Sequence, residues 1–114
     1  MSDCLFCKMV AGSIKPDIVY EDADVLAFRD INPQAPTHVL VIPKDHIATI
    51  NDIAPDHDAL VGKLFLAAKK VADIDGIATS GYRVVMNCNR HAGQEVYHIH
   101  LHVLGGRQMS WPPG

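Results

Sequence analysis

The sequence predicts a single α+β domain built on an antiparallel sheet. Five strand-like segments occur along the 114 residues, and short turn-forming segments join several of them. One long amphipathic helix lies between the third and fourth of these segments. This order favours an antiparallel sheet with its helices grouped on one side, and the chain length allows one hydrophobic core.

A short helix and a β-hairpin are predicted in the N-terminal part of the chain. Apolar side chains at helical spacing indicate a helix over Cys4–Val10, which Gly12 can end. The segments Ile18–Glu21 and Val25–Asp30 have the composition of strands. The acidic turn Asp22–Asp24 joins them, and we therefore expect a hairpin.

The remaining elements are three strands and the long helix. His38–Pro43 follows a proline-containing loop and is β-branched and apolar, which indicates the third strand. Pro55–Ile74 is the long helix, with Pro55 in its first turn and Gly76 available as a cap. Its apolar side chains recur at helical spacing: Leu60, Leu64, Ala67, Ala68, Val71 and Ile74. Tyr82–Asn87 and Val96–Leu104 are the last two strands.

Composition and charge restrict the class of protein. Hydrophobic residues make up 48% of the chain, and the mean hydropathy is +0.07, as in folded globular domains. A net charge of -3 and a pI near 6.1 provide no general attraction to nucleic acid or to anionic membranes. No apolar run has the length of a membrane span and no export signal is evident, so we expect a cytoplasmic protein with reduced thiols.

Three histidines at alternating positions are the most informative feature. His98, His100 and His102 are separated by Ile99 and Leu101. On a strand this spacing places the three imidazoles on one face and the aliphatic side chains on the other. Imidazole is a nucleophile, a proton donor or acceptor, and a metal ligand near neutral pH. We therefore favour a chemical site over a solvated, histidine-rich strand face.

The run His98–Leu104 resembles the defining signature of the histidine triad (HIT) superfamily. The similarity continues through Asp30–His38, Val41–Lys44 and Gly105–Gly114. These segments resemble the Hint branch, the histidine triad nucleotide-binding proteins, and the similarity covers nearly the whole chain as one HIT domain, residues 1–114. The resemblance implies the HIT fold: a five-stranded antiparallel sheet, one long helix, a short N-terminal helix, and sheets joined across a homodimer.

The resemblance also implies an enzyme that hydrolyses purine nucleoside phosphoramidates to a nucleoside monophosphate and an amine. His100 matches the nucleophile, which forms a covalent nucleotidyl-histidine. His102 matches a contact to the phosphate or the leaving group. His98 would orient the central ring, and His38 would extend the polar network behind it. The chemistry requires no cofactor.

A nucleotide site follows from the same resemblance. Asp30 matches the ribose-binding carboxylate, and Asn87 matches a phosphate contact, although it can instead cap a turn. Gly93 and Val96 would offer backbone groups. Glu95 stands where animal-type members have a serine, and an ionised carboxylate cannot donate a hydrogen bond. Six apolar residues match the walls around the base: Phe6, Met9, Ile14, Phe28, Ile31 and Leu40. Each of them is equally suited to packing in the core.

A structural zinc site is a further implication of the resemblance. Cys4 and Cys7 resemble the N-terminal pair of several bacterial relatives, and His46 and His98 match the histidines that complete it. Two thiolates and two imidazoles suit tetrahedral zinc, which would leave no open position for a substrate. The alternative is a pair of reduced core thiols beside an exposed His46.

Two other functions are compatible with the sequence. One is hydrolysis of dinucleoside polyphosphates; the third histidine argues against the related uridylyl transferases, and the tail at Trp111 favours Hint. The other is a nucleotide- and zinc-binding regulatory or scaffold protein, in which turnover is incidental. The tail Trp111–Gly114 either crosses to a partner subunit or is a flexible terminus.

Overall fold

Five strands form one antiparallel sheet in the computed structural model, which describes residues 3–114. The strand order is β1-β2-β3-β5-β4, so β3 and β5 are central neighbours and β4 lies at an edge. The strands are β1 Ile18–Glu21, β2 Val25–Arg29, β3 Thr37–Pro43, β4 Tyr82–Val85 and β5 Leu101–Gly105. The helices are α1 Leu5–Ala11, α2 Asp58–Ile74 and the short α3 Asn89–Ala92, which the sequence analysis did not predict.

The sheet is covered on both faces. Val25 and Ala27 of β2 pack in the cluster that contains the α2 side chain Leu64. The alternating residues Leu26 and Phe28 pack on the other face, in the cluster that contains Phe6 of α1. The expectation that the helices group on one side is therefore wrong for α1. Strands β2 and β3 are apolar at successive positions, so both faces of the sheet need cover.

The predicted long helix is divided at its start. Pro55–His57 forms a separate 3₁₀ turn, and α2 begins at Asp58. The ring of His57 accepts a hydrogen bond from the Ala54 N–H at 2.9 Å, which caps the turn. Ile74, which the pattern assigned to the apolar face, is 54% exposed because α2 ends there. No helix among residues 3–114 is long and apolar enough to cross a membrane.

The final strand begins later than predicted. β5 starts at Leu101, whereas the prediction began at Val96, so His98 and His100 precede the strand. In this segment the Ile99 N–H bonds the carbonyl of Ile47, a loop residue, at 2.8 Å, and not a neighbouring strand. The aliphatic side chains between the histidines are nevertheless buried under α2, as the alternation predicts. β4 likewise ends at Val85, before the predicted Asn87.

Candidate active site and metal cluster

A cavity of about 600 Å³ opens on the face of the sheet that carries α1. Its walls come from α1, the ends of β2 and β3, and the segment before β5. His38, His100 and His102 line it, whereas His98 does not. The cavity also brings together every residue that the resemblance assigns to nucleotide binding: Phe6, Met9, Ile14, Phe28, Asp30, Ile31, Leu40, Asn87, Gly93, Glu95 and Val96.

The histidines lie on one side of the sheet but divide between two sites. The ring centroids of His100 and His102 are 5.0 Å apart, and those of His102 and His38 are 5.2 Å apart. The Phe6 ring makes edge contacts with His98 at 5.9 Å and with His100 at 5.1 Å. Two rings of the triad therefore reach the cavity, while the fully buried His98 ring lies beside Cys4 and Cys7.

Hydrogen bonds determine which nitrogen of His100 carries the proton. Its Nδ1 lies 2.7 Å from the main-chain carbonyl oxygen of His98. A carbonyl only accepts, so Nδ1 must be the N–H donor. In the neutral ring Nε2 is then unprotonated and keeps its lone pair. This is the protonation state that a nucleophilic imidazole requires.

A second chain of hydrogen bonds determines which nitrogen of His102 carries the proton. The Gln34 N–H donates to His38 Nδ1 at 3.0 Å, so neutral His38 carries its proton on Nε2. His38 Nε2 lies 2.9 Å from His102 Nδ1 and donates to it. Neutral His102 therefore carries its proton on Nε2, where it is available as a hydrogen-bond donor. The site thus pairs an unprotonated nitrogen on one ring with an N–H on the next.

Burial keeps these rings neutral. Desolvation lowers the pKa of His38 and of His100 below the ordinary value of 6.5. Burial is also the largest cause for His102, and repulsion from His100 and His38 adds to it, so its pKa falls to about 4. The proton positions derived from the hydrogen bonds therefore hold at neutral pH.

Asp30, the predicted ribose-binding carboxylate, lies next to the histidine network. Its Oδ1 accepts a hydrogen bond from the Asn32 N–H at 2.9 Å, and its Oδ2 is 3.4 Å from His38 Nε2. The side chain is 20% exposed and lines the cavity. A carboxylate held in this way presents acceptor oxygens to hydroxyl groups of a ligand.

The apolar wall has a buried part and an exposed rim. Phe6, Phe28 and Leu40 are all less than 10% exposed, so they serve the core and the cavity together. Ile31 is 99% exposed and Ile14 is 37% exposed at the rim. Core packing does not explain Ile31, because an apolar side chain that is fully exposed stabilises nothing until a ligand covers it.

Gln94, a residue that sequence reasoning missed, organises the loop before β5. Its side-chain amide is buried, donates to the carbonyls of Ala48 at 2.8 Å and Val96 at 3.1 Å, and accepts from the Asn89 N–H at 2.9 Å. These bonds fix the segment that brings Gly93 and Val96 to the cavity. Because its partners are backbone groups up to 46 residues away, no motif could have identified it.

The four predicted metal ligands meet beneath α1. One ligand atom from each of Cys4, Cys7, His46 and His98 lies within 4.8 Å of the others. Cys7 Sγ is 3.2 Å from His46 Nδ1 and 3.5 Å from His98 Nδ1, and Cys4 Sγ is 3.4 Å from His98 Nδ1. Tetrahedral zinc with ordinary bond lengths separates a sulfur from a nitrogen ligand by roughly 3.5 Å.

The tautomer of His98 also fits a metal. Its Nε2 lies 2.7 Å from the Pro43 carbonyl oxygen and must donate to it, which leaves Nδ1 unprotonated and directed at the thiols. A backbone carbonyl that orients a ligating imidazole is the usual outer partner in a metal site. The residues present therefore fit a four-coordinate divalent metal.

A five-stranded sheet with alternating histidines at its last strand, two of which line a cavity of about 600 Å³, defines a histidine triad domain. The sequence model of the HIT domain family matches residues 11–109, and the chain belongs to that family. It is 52% identical over 108 residues to the purine nucleoside phosphoramidase of Escherichia coli strain K12, covering 95% of this chain and 91% of that protein.

Solved structures agree with the fold. A HIT family hydrolase from Legionella pneumophila Philadelphia 1 superposes with a TM-score of 0.96 at 59% identity, covering 98% of this chain and 100% of that chain. A HIT family hydrolase from Clostridium thermocellum gives a TM-score of 0.93 at 45% identity, with 96% of both chains covered. The five-stranded sheet with one long and one short helix is thus the fold of this family.

Proposed function

We propose that the protein hydrolyses purine nucleoside phosphoramidates through a covalent intermediate on His100. The observation that carries the proposal is the His100 ring, whose Nδ1 donates to a main-chain carbonyl while Nε2 stays unprotonated in a ring that lines the cavity. The similarity to a protein named purine nucleoside phosphoramidase supports the choice of substrate.

In the first step His100 Nε2 attacks the α-phosphorus and the phosphorus–nitrogen bond breaks. The amine leaves with a proton from solvent, and the nucleotide stays bound to His100. The ring becomes cationic, which strengthens the Nδ1–H bond to the His98 carbonyl. The His102 Nε2–H donates to a phosphate oxygen and stabilises charge there. Water then attacks the phosphorus, releases the nucleoside monophosphate and a proton, and returns His100 to its neutral form.

The nucleotide occupies the cavity with its sugar toward Asp30 and its base between the apolar walls. Asn87, Gly93 and Val96 contact the phosphate from the loop before β5. Glu95 is exposed and lines the same cavity, so its carboxylate favours a leaving amine that carries positive charge.

The cluster of Cys4, Cys7, His46 and His98 holds zinc in a structural role. These residues would hold zinc between the start of α1 and the segment before β5, where it would stabilise the fold, and four protein ligands would leave no open position for a substrate. A thiolate-based site needs reduced cysteines, which supports a cytoplasmic location. We expect no nucleic-acid or membrane partner, because the net charge is -3.

The protein forms a homodimer by joining two sheets. β4 lies at the edge of the sheet and pairs with β5 on one side only among the strands that the structure describes. An edge strand of this kind accepts a second strand through backbone hydrogen bonds, and a two-fold axis makes the pairing symmetric. Residues 1–114 act as one domain in each subunit.

Turnover of an adenosine 5′-phosphoramidate with a fluorescent amine tests the proposal. The native protein should release adenosine monophosphate and accumulate a nucleotidyl adduct that intact-mass spectrometry detects. His100→Ala should lose both signals, whereas His91→Ala, an exposed residue of α3, should keep them. Binding of the nucleotide without turnover by the native protein would contradict the hydrolase and favour a regulatory binding protein.

A further inference from the structure

Asp75 lies at the end of α2, outside the cavity, yet it holds both strands that lead into the site. Arg29 at the end of β2 donates from Nη1 and Nη2 to the two carboxylate oxygens, each at 2.9 Å. The Thr37 hydroxyl at the start of β3 donates to Oδ2 at 2.8 Å. Arg29 directly precedes Asp30, and Thr37 directly precedes His38. We call Asp75, Arg29 and Thr37 the Asp75 clamp.

The clamp is built on a carboxylate that is mostly buried and ionised. The Asp75 side chain is 12% exposed, so its charge is largely removed from water. The Arg29 guanidinium, and after it the Thr37 hydroxyl, hold the pKa of Asp75 below its usual value, so the carboxylate is ionised at neutral pH. A two-pronged bond from arginine to a carboxylate restrains direction as well as distance.

The two residues that follow the clamp are joined to each other. The Asp30 N–H bonds the His38 carbonyl at 3.0 Å, and Asp30 Oδ2 lies 3.4 Å from His38 Nε2. A shift of either strand end would therefore move the Asp30 carboxylate relative to the cavity. Displacements of about 1 Å are enough to weaken a directed hydrogen bond severely.

We propose that the Asp75 clamp positions Asp30 and thereby sets the discrimination between ribose and deoxyribose nucleotides. This inference rests on the proposed function, in which Asp30 binds the sugar hydroxyls. Arg29 itself lines the cavity, while Asp75 and Thr37 do not, so they act only through their neighbours. Asp75 is a positioning residue, and its effect should fall on sugar selection more than on overall nucleotide affinity.

The molecule contains a matched control at the other end of β2. Asp24 pairs with Lys63 of α2 at 2.8 Å, so it also connects this helix to the hairpin. Both side chains are about half exposed, and neither lines the nucleotide cavity. Loss of the Asp24 pair removes a contact between the same two elements without reaching Asp30.

Calorimetric binding of adenosine monophosphate and 2′-deoxyadenosine monophosphate tests the inference. The native protein should prefer the ribonucleotide by roughly tenfold, the value of one hydrogen bond to a charged group. Asp75→Asn and the near-isosteric Thr37→Val should reduce this ratio about threefold or more. Asp24→Asn should leave it unchanged, and Asp30→Ala should bring it close to one. The ratio is insensitive to partial unfolding, because both ligands report on the same folded population.

The outcomes separate the clamp from the proposed function. If Asp30→Ala abolishes the preference while Asp75→Asn and Thr37→Val retain it, Asp30 binds the sugar but the clamp does not position it, and the inference is wrong. If the native protein shows no preference, the sugar role of Asp30 and the clamp both fail. Because binding and not turnover is measured, a failure of hydrolysis alone leaves the result of this test intact.

Discussion

His98 and His100 are two residues apart, and they belong to different regions of the molecule. Both are buried, both have a lowered pKa with burial as the main cause, and both donate one ring N–H to a backbone carbonyl at 2.7 Å. His98 uses Nε2 for that bond and turns Nδ1 to the cysteines. His100 uses Nδ1 and keeps Nε2 unprotonated in a ring that lines the cavity. The ring nitrogen that bonds the backbone therefore determines whether the unprotonated nitrogen is Nδ1 beside the cysteines or Nε2 of a ring that lines the cavity.

The largest effect on turnover should come from replacing His100 by alanine, and replacing His98 by alanine is the comparison. His100→Ala should lower kcat by at least about a thousandfold, because the proposed nucleophile is gone, with metal content unchanged. His98→Ala should lose the metal but keep measurable turnover, because the backbone carbonyl that orients His100 remains. Steady-state kinetics and elemental analysis of each purified variant check both expectations. Equal losses of turnover would contradict the separation of roles.

Metal binding by the cluster that contains His98 can be tested through the free energy of unfolding. Cys7→Ser should lower the free energy of unfolding by about 3 kcal/mol, because metal binding free energy is folding free energy when the unfolded chain lacks the site. Cys88→Ser is the matched control, since Cys88 is also half-buried but lies outside the cluster. Urea unfolding of the metal-loaded proteins measures the difference. A chelator should destabilise the native protein and have no effect on Cys7→Ser.

The buried histidines that line the cavity should make the free energy of unfolding depend on pH. The pKa of His102 falls from 6.5 to about 4 on folding, so its contribution is complete above pH 6.5 and is lost as the pH falls toward 4. Between pH 7 and pH 5 the native protein should lose on the order of 1 kcal/mol more than His102→Gln, less than the full pKa shift gives because the ring is partly exposed. Between pH 7 and pH 8 the difference between the two proteins should stay constant. Parallel curves down to pH 5 would contradict a neutral, buried His102.

A smaller effect is expected at the apolar rim of the cavity. Ile31→Ala should leave the free energy of unfolding within about 0.5 kcal/mol, because the side chain is 99% exposed. It should weaken binding of adenosine monophosphate roughly fivefold, since covering a few methyl groups contributes about 1 kcal/mol. Ile18→Ala removes an exposed isoleucine away from the cavity and should not alter binding. An unchanged affinity in both variants would mean that the base does not cover the rim.

The spacing of apolar residues in the sequence predicted correctly which face of α2 and of the segment that carries the histidines is buried. The alternation of Ile99, Leu101 and Val103 indicated the buried face correctly, and the spacing of Leu64 and Val71 indicated the core face of α2. The predictions from periodicity succeeded because side-chain direction follows from backbone period within one element. The resemblance to the histidine triad superfamily assigned residues to a nucleotide site; they line one cavity, and their roles stay predictions.

Contacts between segments that are distant in the chain could not be predicted from the sequence. The start of β5 depends on whether Ile99 bonds a strand or the loop at Ile47, and its pattern is the same in both cases. α1 packs on the second face of the sheet because β2 and β3 are buried on both faces. A short apolar run in the sequence does not show which element will cover each face of a strand. Asp75 reaches Arg29 across 46 residues, so its role is visible only in three dimensions.

The carbonyl that bonds His100 Nδ1 belongs to the main chain of His98, whose side chain lies in the cluster with Cys4, Cys7 and His46. Every amino acid supplies that oxygen, so mutation at position 98 cannot delete it. Loss of Cys4, of Cys7 or of the His98 imidazole would therefore leave in place the backbone oxygen that bonds His100 Nδ1. Residue 98 thus serves two clusters through different atoms, and a substitution there directly changes only the cluster that its side chain enters.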